Sequence, residues 1–267
     1  MVRLQLRCFD RGNNYQPILS NREIDEYAHA LLEDYKPELL RNPGTINYQH
    51  FLESYLGMQI LFYDIYSDDP DKPILALTAF REGKIKVFDR DNGCIKKIVI
   101  PARSVVMDNS IVDIGKEHLA LFTGMHEAGH ATMQWHVYTG ETFDGEPFDP
   151  DYDWNNSIKP IVYCRRSNIE SRLTVGKKPT PEEWREHHAD CFAAAITMPN
   201  KTFRPFVTGL LREHSYYRST TITLGKDEDW DILALDLLPD AISDVYGVSK
   251  RAARIKLKTS GFIIGKV

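Results

Sequence analysis

Two histidines four residues apart flank a glutamate in the segment His126-Glu127-Ala128-Gly129-His130. On a helix, residues four apart lie on one face, one turn above the other. Both imidazoles can therefore bind a single metal ion. Glu127 would then sit beside them, placed to take a proton from water that the metal has acidified. H-E-x-x-H is the shortest pattern that builds a hydrolytic zinc site. Its plainer reading is a helix carrying two partly buried histidines and a surface glutamate. A third ligand separates the two readings, because catalytic zinc keeps three protein ligands and leaves a fourth position for water or substrate.

The surrounding residues specify the helix. The stretch 115–138 has no proline, and Leu119, Phe122, His126, His130, Met133 and Val137 recur at three- and four-residue steps. The histidines thus lie along the apolar stripe that faces the interior.

A second helix with both ends marked follows downstream. Thr180 is its N-cap, Pro181 its first helical residue, Glu183 completes a capping box, and Pro199 stops it. Ala189, Phe192, Ala193 and Ile196 form its apolar arc, with Glu186 and Asp190 one turn apart along the edge. A carboxylate at the margin of a buried face is costly unless it is paired or binds a metal. Glu186 is therefore the candidate third ligand, and Asp190 the candidate hydrogen-bond partner of a ligand histidine. His187 and His188 compete as nitrogen donors. At about 100° per residue they point about 100° and about 200° away from Glu186, and the preferred reading leaves them solvated or at an interface.

HEAGH, followed by Glu186-x-x-Ala189-Asp190-x-Phe192-Ala193-Ala194 and then Met198-Pro199, resembles the ImmA/IrrE family of metallopeptidases. The resemblance covers residues 45–262 and is strong only at the two helices. His188 stands where that family commonly has glutamate, and Ala195-Ile196-Thr197 where it commonly has Glu-Leu-Leu. The resemblance implies an α+β fold, with a zincin-like metallopeptidase core whose small sheet packs on the active-site helices and a C-terminal helix-turn-helix-like segment. It also implies Zn²⁺ as cofactor and a helix-turn-helix transcriptional repressor as protein substrate, cut to release a stress-response or mobile-element programme. The expected domains are an N-terminal extension with a helix (1–44), the metallopeptidase domain (45–228) and the C-terminal segment (229–267).

Composition agrees with a globular chain. Its 267 residues are 42% hydrophobic and 27% charged, with a formal net charge of −5, which gives no general attraction to nucleic acid or anionic membrane. The N-terminus has no apolar h-region, and no run of eighteen apolar residues occurs, so a cytoplasmic protein without a membrane partner is expected. Four cysteines without C-x-x-C spacing argue for reduced thiols and against a cysteine zinc site.

The remaining elements follow from pattern. A helix is predicted over 21–35, with Ser20 and Glu23 as capping box, and another over 48–56 ending at Gly57. Strands are predicted over 59–63, 74–80, 84–88, 95–100 and 105–108, with a hairpin turn at Asp91-Asn92-Gly93. A sheet edge beside the metal helix would hold an extended peptide by β-augmentation, although pattern alone does not say which strand. The 139–160 loop is long enough to be either a substrate-shaping lid or a surface excursion. Arg165 and Arg166 read as solvated rather than as a carboxylate clamp. Tyr138, Tyr152, Tyr163 and the paired histidines are candidate oxyanion donors, with no spacing argument to choose among them.

The C-terminal segment reads as a helix, a turn at Gly247 and a Ser249-capped second helix made basic by Lys250, Arg251, Arg254, Lys256 and Lys258. It would contact DNA through a major groove, or else pack against the rest of the chain, and the packing role is preferred. The leading expectation is a zinc endopeptidase with His126, His130 and Glu186 as ligands and Glu127 as general base. The alternative is a DNA-binding or interaction protein with a structural or dormant zinc site.

Overall fold

The computed structural model describes residues 9–154, 158–165, 179–214 and 220–265. Helix α1 (Asn21–Tyr35) starts from the full Ser20–Glu23 capping box. A short helix α2 (Tyr48–His50), capped by Asn47, runs on into a π turn (Phe51–Tyr55). Gly57 then adopts a φ of 64° and turns the chain into the sheet. Helix α3 (Glu117–Thr139) carries the HEAGH segment, and its end is closed by Gly140 in the left-handed region. Helix α4 (Pro181–Thr197) has the expected Thr180–Glu183 box and Pro181 in its first turn.

Two small ribbons lie outside the main sheet: β1 (Phe9–Asp10) with β2 (Gln16–Pro17), and β9 (Ile222–Thr223) with β10 (Ile263–Ile264). The main sheet contains β3 (Gln59–Tyr63), β4 (Ile74–Ala79), β7 (Ser104–Asp108) and β8 (Ile161–Arg165), in the order β3-β7-β4-β8. β3 and β7 are parallel; β4 runs antiparallel to both its neighbours. The hairpin β5 (Gly83–Asp89) and β6 (Cys94–Ile100) turns at Gly93 and forms a separate ribbon.

Alternation along the strands assigns the two faces of the sheet. Leu77, Ala79 and Val106 pack with Ile85, Val87 and Ile100 of the hairpin. Ala76, Val105, Met107 and Cys164 belong to the cluster shared with α3 and α4. With both faces covered, every residue of β4 is buried. That cluster also takes in Leu31 of α1, Phe203, Tyr246 and Leu257, so the segments 1–44, 45–228 and 229–267 contribute to one core.

Besides the two-residue strands of the small ribbons, β8 and one long helix have no counterpart in the sequence reading. Strand β8 follows a long irregular loop and is only five residues long. Helix α5 (Asn200–His214) begins immediately after the Pro199 stop, whose carbonyl accepts from the Thr202 and Phe203 N–H groups. The C-terminal segment is a helix α6 built from Glu228–Ile232, a π turn (Leu233–Leu237) and Leu238–Tyr246, followed by α7 (Lys250–Thr259) capped by Ser249. Gly247, at φ 69°, makes the turn between them. Among the described residues no helix is long and apolar enough to cross a membrane.

Candidate metal centre

α3 and α4 meet at Gly129. A Cβ there would lie 3.1 Å from the Ala189 Cα and 3.2 Å from Phe192. The glycine of HEAGH is therefore what lets the α4 backbone approach closely enough for its carboxylates to reach the α3 histidines. His126, Glu127 and His130 are fully buried. The Nε2 atoms of His126 and His130 are 3.0 Å apart, and each is 3.4 Å from an oxygen of Glu186. The structure thus brings together the three residues that spacing alone had nominated.

The outer nitrogens of the two rings determine what these inner ones can do. His126 Nδ1 lies 2.8 Å from Asp190 Oδ1. A carboxylate only accepts, so Nδ1 carries the proton. His130 Nδ1 lies 2.9 Å from Gln134 Oε1, whose amide nitrogen donates to the Arg185 carbonyl at 2.9 Å. That second bond orients the amide and makes His130 Nδ1 a donor too. Both Nε2 atoms consequently present lone pairs, and they face each other and a carboxylate across about 3 Å. With both rings neutral, two imidazole nitrogens and a carboxylate converge as acceptors, an arrangement suited to a cation. A tetrahedral zinc with arms of about 2.0–2.1 Å would hold its donors about 3.3 Å apart, close to the spacings found.

The same carboxylates also act on the titration of the centre, and there a proton on His126 competes with a cation for the Nε2 lone pair. Burial opposes a charge on His126, yet Cys164, Asp190 and Glu186 outweigh it and raise its pKa well above the usual histidine value. Burial would raise the Glu186 pKa, but His130 and His126 more than offset it and hold the carboxyl ionised. Glu127 is raised by burial, against the opposing pull of the two histidines. Its Oε2 accepts from Thr78 Oγ1 of β4 at 2.5 Å, and its Oε1 is buried with no hydrogen-bond partner. A glutamate read on the plainer view as a surface residue is instead buried beside the ligand pair.

The other candidates fall elsewhere. His188 is not solvated: it is fully buried, accepts from the Leu19 N–H at 3.4 Å, and burial pushes it down to about 4. The irregular segment between β2 and α1 covers it, which the helical wheel of α4 alone does not show. His187 stays beside Trp184 and Cys191. Tyr163 lies on the hairpin face of the sheet, opposite the centre. Tyr152 donates to the Arg11 carbonyl, and Tyr138 is held between Phe80 and Arg185. Arg165 donates to the Lys72 carbonyl at 2.9 Å, away from the centre, and Arg166 lies outside the described residues. The 140–154 part of the long loop packs Phe148, Tyr152 and Trp154 around Tyr15.

Sequence reasoning missed Thr78, Gln134 and Cys164. Gln134 continues the four-residue step His126, His130, Gln134, a spacing that was there to be read. Thr78 and Cys164 are placed by strand register: in the β4–β8 ladder Cys164 is opposite Ala76 and Val162 opposite Thr78, which puts Cys164 on the α3 face. The chain matches no protein-family model and no curated protein in sequence.

Proposed function

We propose that the protein is a zinc-dependent endopeptidase in which His126, His130 and Glu186 hold the metal and Glu127 moves the proton. The observation that carries this reading is the convergence of three lone-pair donors beside a buried carboxylate with one unpartnered oxygen. A resident zinc would supply Lewis acidity, polarising a peptide carbonyl and lowering the pKa of water toward about 7. Two imidazoles and one carboxylate make a donor set suited to that ion.

The chain's own groups supply the rest. Thr78 fixes Oε2 of Glu127, so Oε1 is the oxygen left to accept a proton from water. Burial makes this carboxylate a stronger base than an exposed one, because its charged form is poorly solvated. The proton then passes from Glu127 to the leaving amine as the C–N bond breaks. Asp190 and Gln134 hold the imidazoles in the tautomer that keeps both Nε2 lone pairs directed inward. From its resemblance to ImmA/IrrE proteins, the substrate would be a helix-turn-helix repressor, a step that rests on analogy of motif.

The test is incubation of zinc-loaded protein with the repressor encoded beside its gene, against Glu127→Gln. We expect about one zinc per chain in both, and cleavage only by the wild type. An intact repressor in both arms, with zinc bound, would remove the protease reading.

A further inference from the structure

Among the described residues the main sheet ends in β8 on one side and β3 on the other. β3 reads Gln59-Ile60-Leu61-Phe62-Tyr63, with no charge, proline or bulge along it. Those are the devices that keep an edge strand from pairing with another chain. In the parallel ladder Gln59 faces β7, its N–H donating to the Arg103 carbonyl at 2.8 Å. Backbone direction alternates, so Leu61 and Tyr63 face β7 as well, while Ile60 and Phe62 turn their N–H and C=O groups to the open side. Among the described residues no backbone hydrogen bond reaches those groups.

A groove of about 330 Å³ adjoins this edge. It is lined by Tyr48 and Gln49 of α2, Phe62 of β3, Val112, and Glu117 and Ala120 in the first turn of α3. Phe62 shares the α3 face of the sheet with Ile60 and Met107. Phe62 and Val112 are 39% and 41% exposed, and Ile114 is wholly exposed. Large apolar side chains left in water around a concavity mark a binding surface. The rim is acidic. The backbone N–H groups of Glu117 itself and of Gly115 hold the Glu117 carboxyl below its usual range. Lys116 beside it is drawn off to Asp113 and the Ser110 carbonyl. Glu53 is close enough to Tyr48 to add to burial in raising its phenol. A carboxylate in a first helical turn also suits the macrodipole, which accounts for Glu117 but not for the bare apolar side chains at its side. A second copy of this chain would set the same acidic rim against itself, so the fitting occupant is a different, cationic one.

We propose that the β3 edge and its groove dock an extended segment of a partner protein, which adds a strand to β3 and places a large apolar side chain, flanked by lysine or arginine, in the groove. Ile60 and Phe62 supply the ladder bonds, and the groove supplies the selectivity. Side chains of a strand alternate, so residues two apart fall together on the α3 face. The apolar one meets Phe62 and Val112, and a cation two residues away reaches Glu117. The site lies at the opposite edge of the sheet from β8 and does not depend on the metal reading.

Amide hydrogen exchange on the full chain, read by NMR, tests both halves of the proposal. In the free chain the Ile60 and Phe62 N–H groups should exchange at least ~10-fold faster than those of Leu61 and Tyr63. The probe is the peptide acetyl-Thr-Lys-Thr-Leu-Thr-Lys-Thr-amide, beside the same peptide with glutamate in place of lysine. At millimolar concentration the lysine peptide should slow exchange at Ile60 and Phe62, and the glutamate peptide should bind at least ~10-fold more weakly. Val112→Lys and Glu117→Lys change exposed side chains and should keep the fold. The first should abolish protection by the lysine peptide, and the second should reverse the preference between the two peptides. Slow exchange at Ile60 and Phe62 in the free monomer would mean that the chain covers its own edge. Protection that grows with protein concentration would mean that a second copy does. Either result overturns the proposal, as would equal binding of the two peptides or no protection by the lysine peptide.

Discussion

The α3–α4 pair and the α6–α7 segment look alike as sequence. Each is a pair of helices carrying charged or ionisable residues at suggestive spacing, with signals that mark its ends. In the structure they differ in where those groups find partners. At α3–α4, two imidazole lone pairs and two carboxylates converge and leave one buried oxygen unpartnered. In α7 three of the basic residues turn back into the chain. Lys250 pairs with Asp240 at 2.6 Å, Arg254 donates to the Leu235 carbonyl at 2.6 Å and meets Asp236 at 3.2 Å, and Lys256 is buried against Asp25 at 3.8 Å. Groups paired along the surface of a fold hold it together, whereas titratable groups gathered in its interior around one unpartnered oxygen mark a candidate functional site.

The comparison breaks most decisively at Glu186. Glu186→Ala leaves two ligands, and zinc affinity should fall by more than ~100-fold, the upper end of what loss of a supporting hydrogen bond costs. Equilibrium dialysis against a chelator measures it. His188→Ala, two residues away, should destabilise the fold by opening a cavity and yet retain the metal. The opposite pattern, zinc kept in Glu186→Ala and lost in His188→Ala, would move the third ligand and end the present assignment.

The same contrast exists within α3. His136 sits on the same helix as His126 and His130, but donates Nε2–H to the Tyr15 carbonyl at 2.9 Å and stacks on Phe148. Burial pushes it down to about 4. A histidine with a depressed folded-state pKa binds its proton more readily when unfolded. Stability is therefore fully present above the unfolded value of about 6.5 and is lost as pH falls toward about 4, by about 3 kcal/mol in all. Denaturant melts of the wild type and His136→Phe over this range measure it. The wild type should show the steeper loss below about pH 6.5, and parallel curves would mean that His136 is not the group responsible.

Next in size come the residues behind the ligands. Asp190→Asn and Gln134→Leu each remove a partner that fixes an imidazole, and each should weaken zinc by ~10–100-fold while leaving about one site per chain. Wild-type affinity in either variant would show that the ring tautomers need no outside support.

How much of this was legible in the sequence follows from the range of the interactions. Capping boxes at Ser20 and Thr180, the Gly57 stop and the Asn92-Gly93 turn are local, and helix bounds such as 21–35 follow from them. The triad of candidate ligands was legible because two of them share one helix turn and the third lies on a helix with its own marked start. Cys164 and Thr78 were not, since their place depends on the register of β8 on β4, a pairing between strands more than eighty residues apart that no periodicity encodes. The covering of His188 by Leu19 is non-local in the same way. The 139–160 loop offered only composition, and its aromatic packing around Tyr15 depends on a ribbon far upstream.

The smallest effects are expected in α7, and they sharpen the comparison from its other side. Lys250→Ala removes an ion pair whose side chains are 59% and 45% exposed, and should cost at most ~1 kcal/mol. Arg254→Ala should cost more, ~1–2 kcal/mol, because its side chain is only 34% exposed and its Nε–H satisfies the Leu235 carbonyl in the π turn of α6. If α7 read DNA, the ranking would concern a different observable: both substitutions would weaken duplex binding, and its salt dependence would become shallower with each phosphate left unneutralised. A helix with Lys250, Arg254 and Lys256 already paired within the chain releases fewer counterions, so we expect no salt-sensitive duplex binding by the wild type near physiological ionic strength. Tight binding that falls steeply with salt and weakens in Arg254→Ala, with stability unchanged, would show that the internal pairs give way to phosphate and that α7, like α3–α4, is a site in waiting.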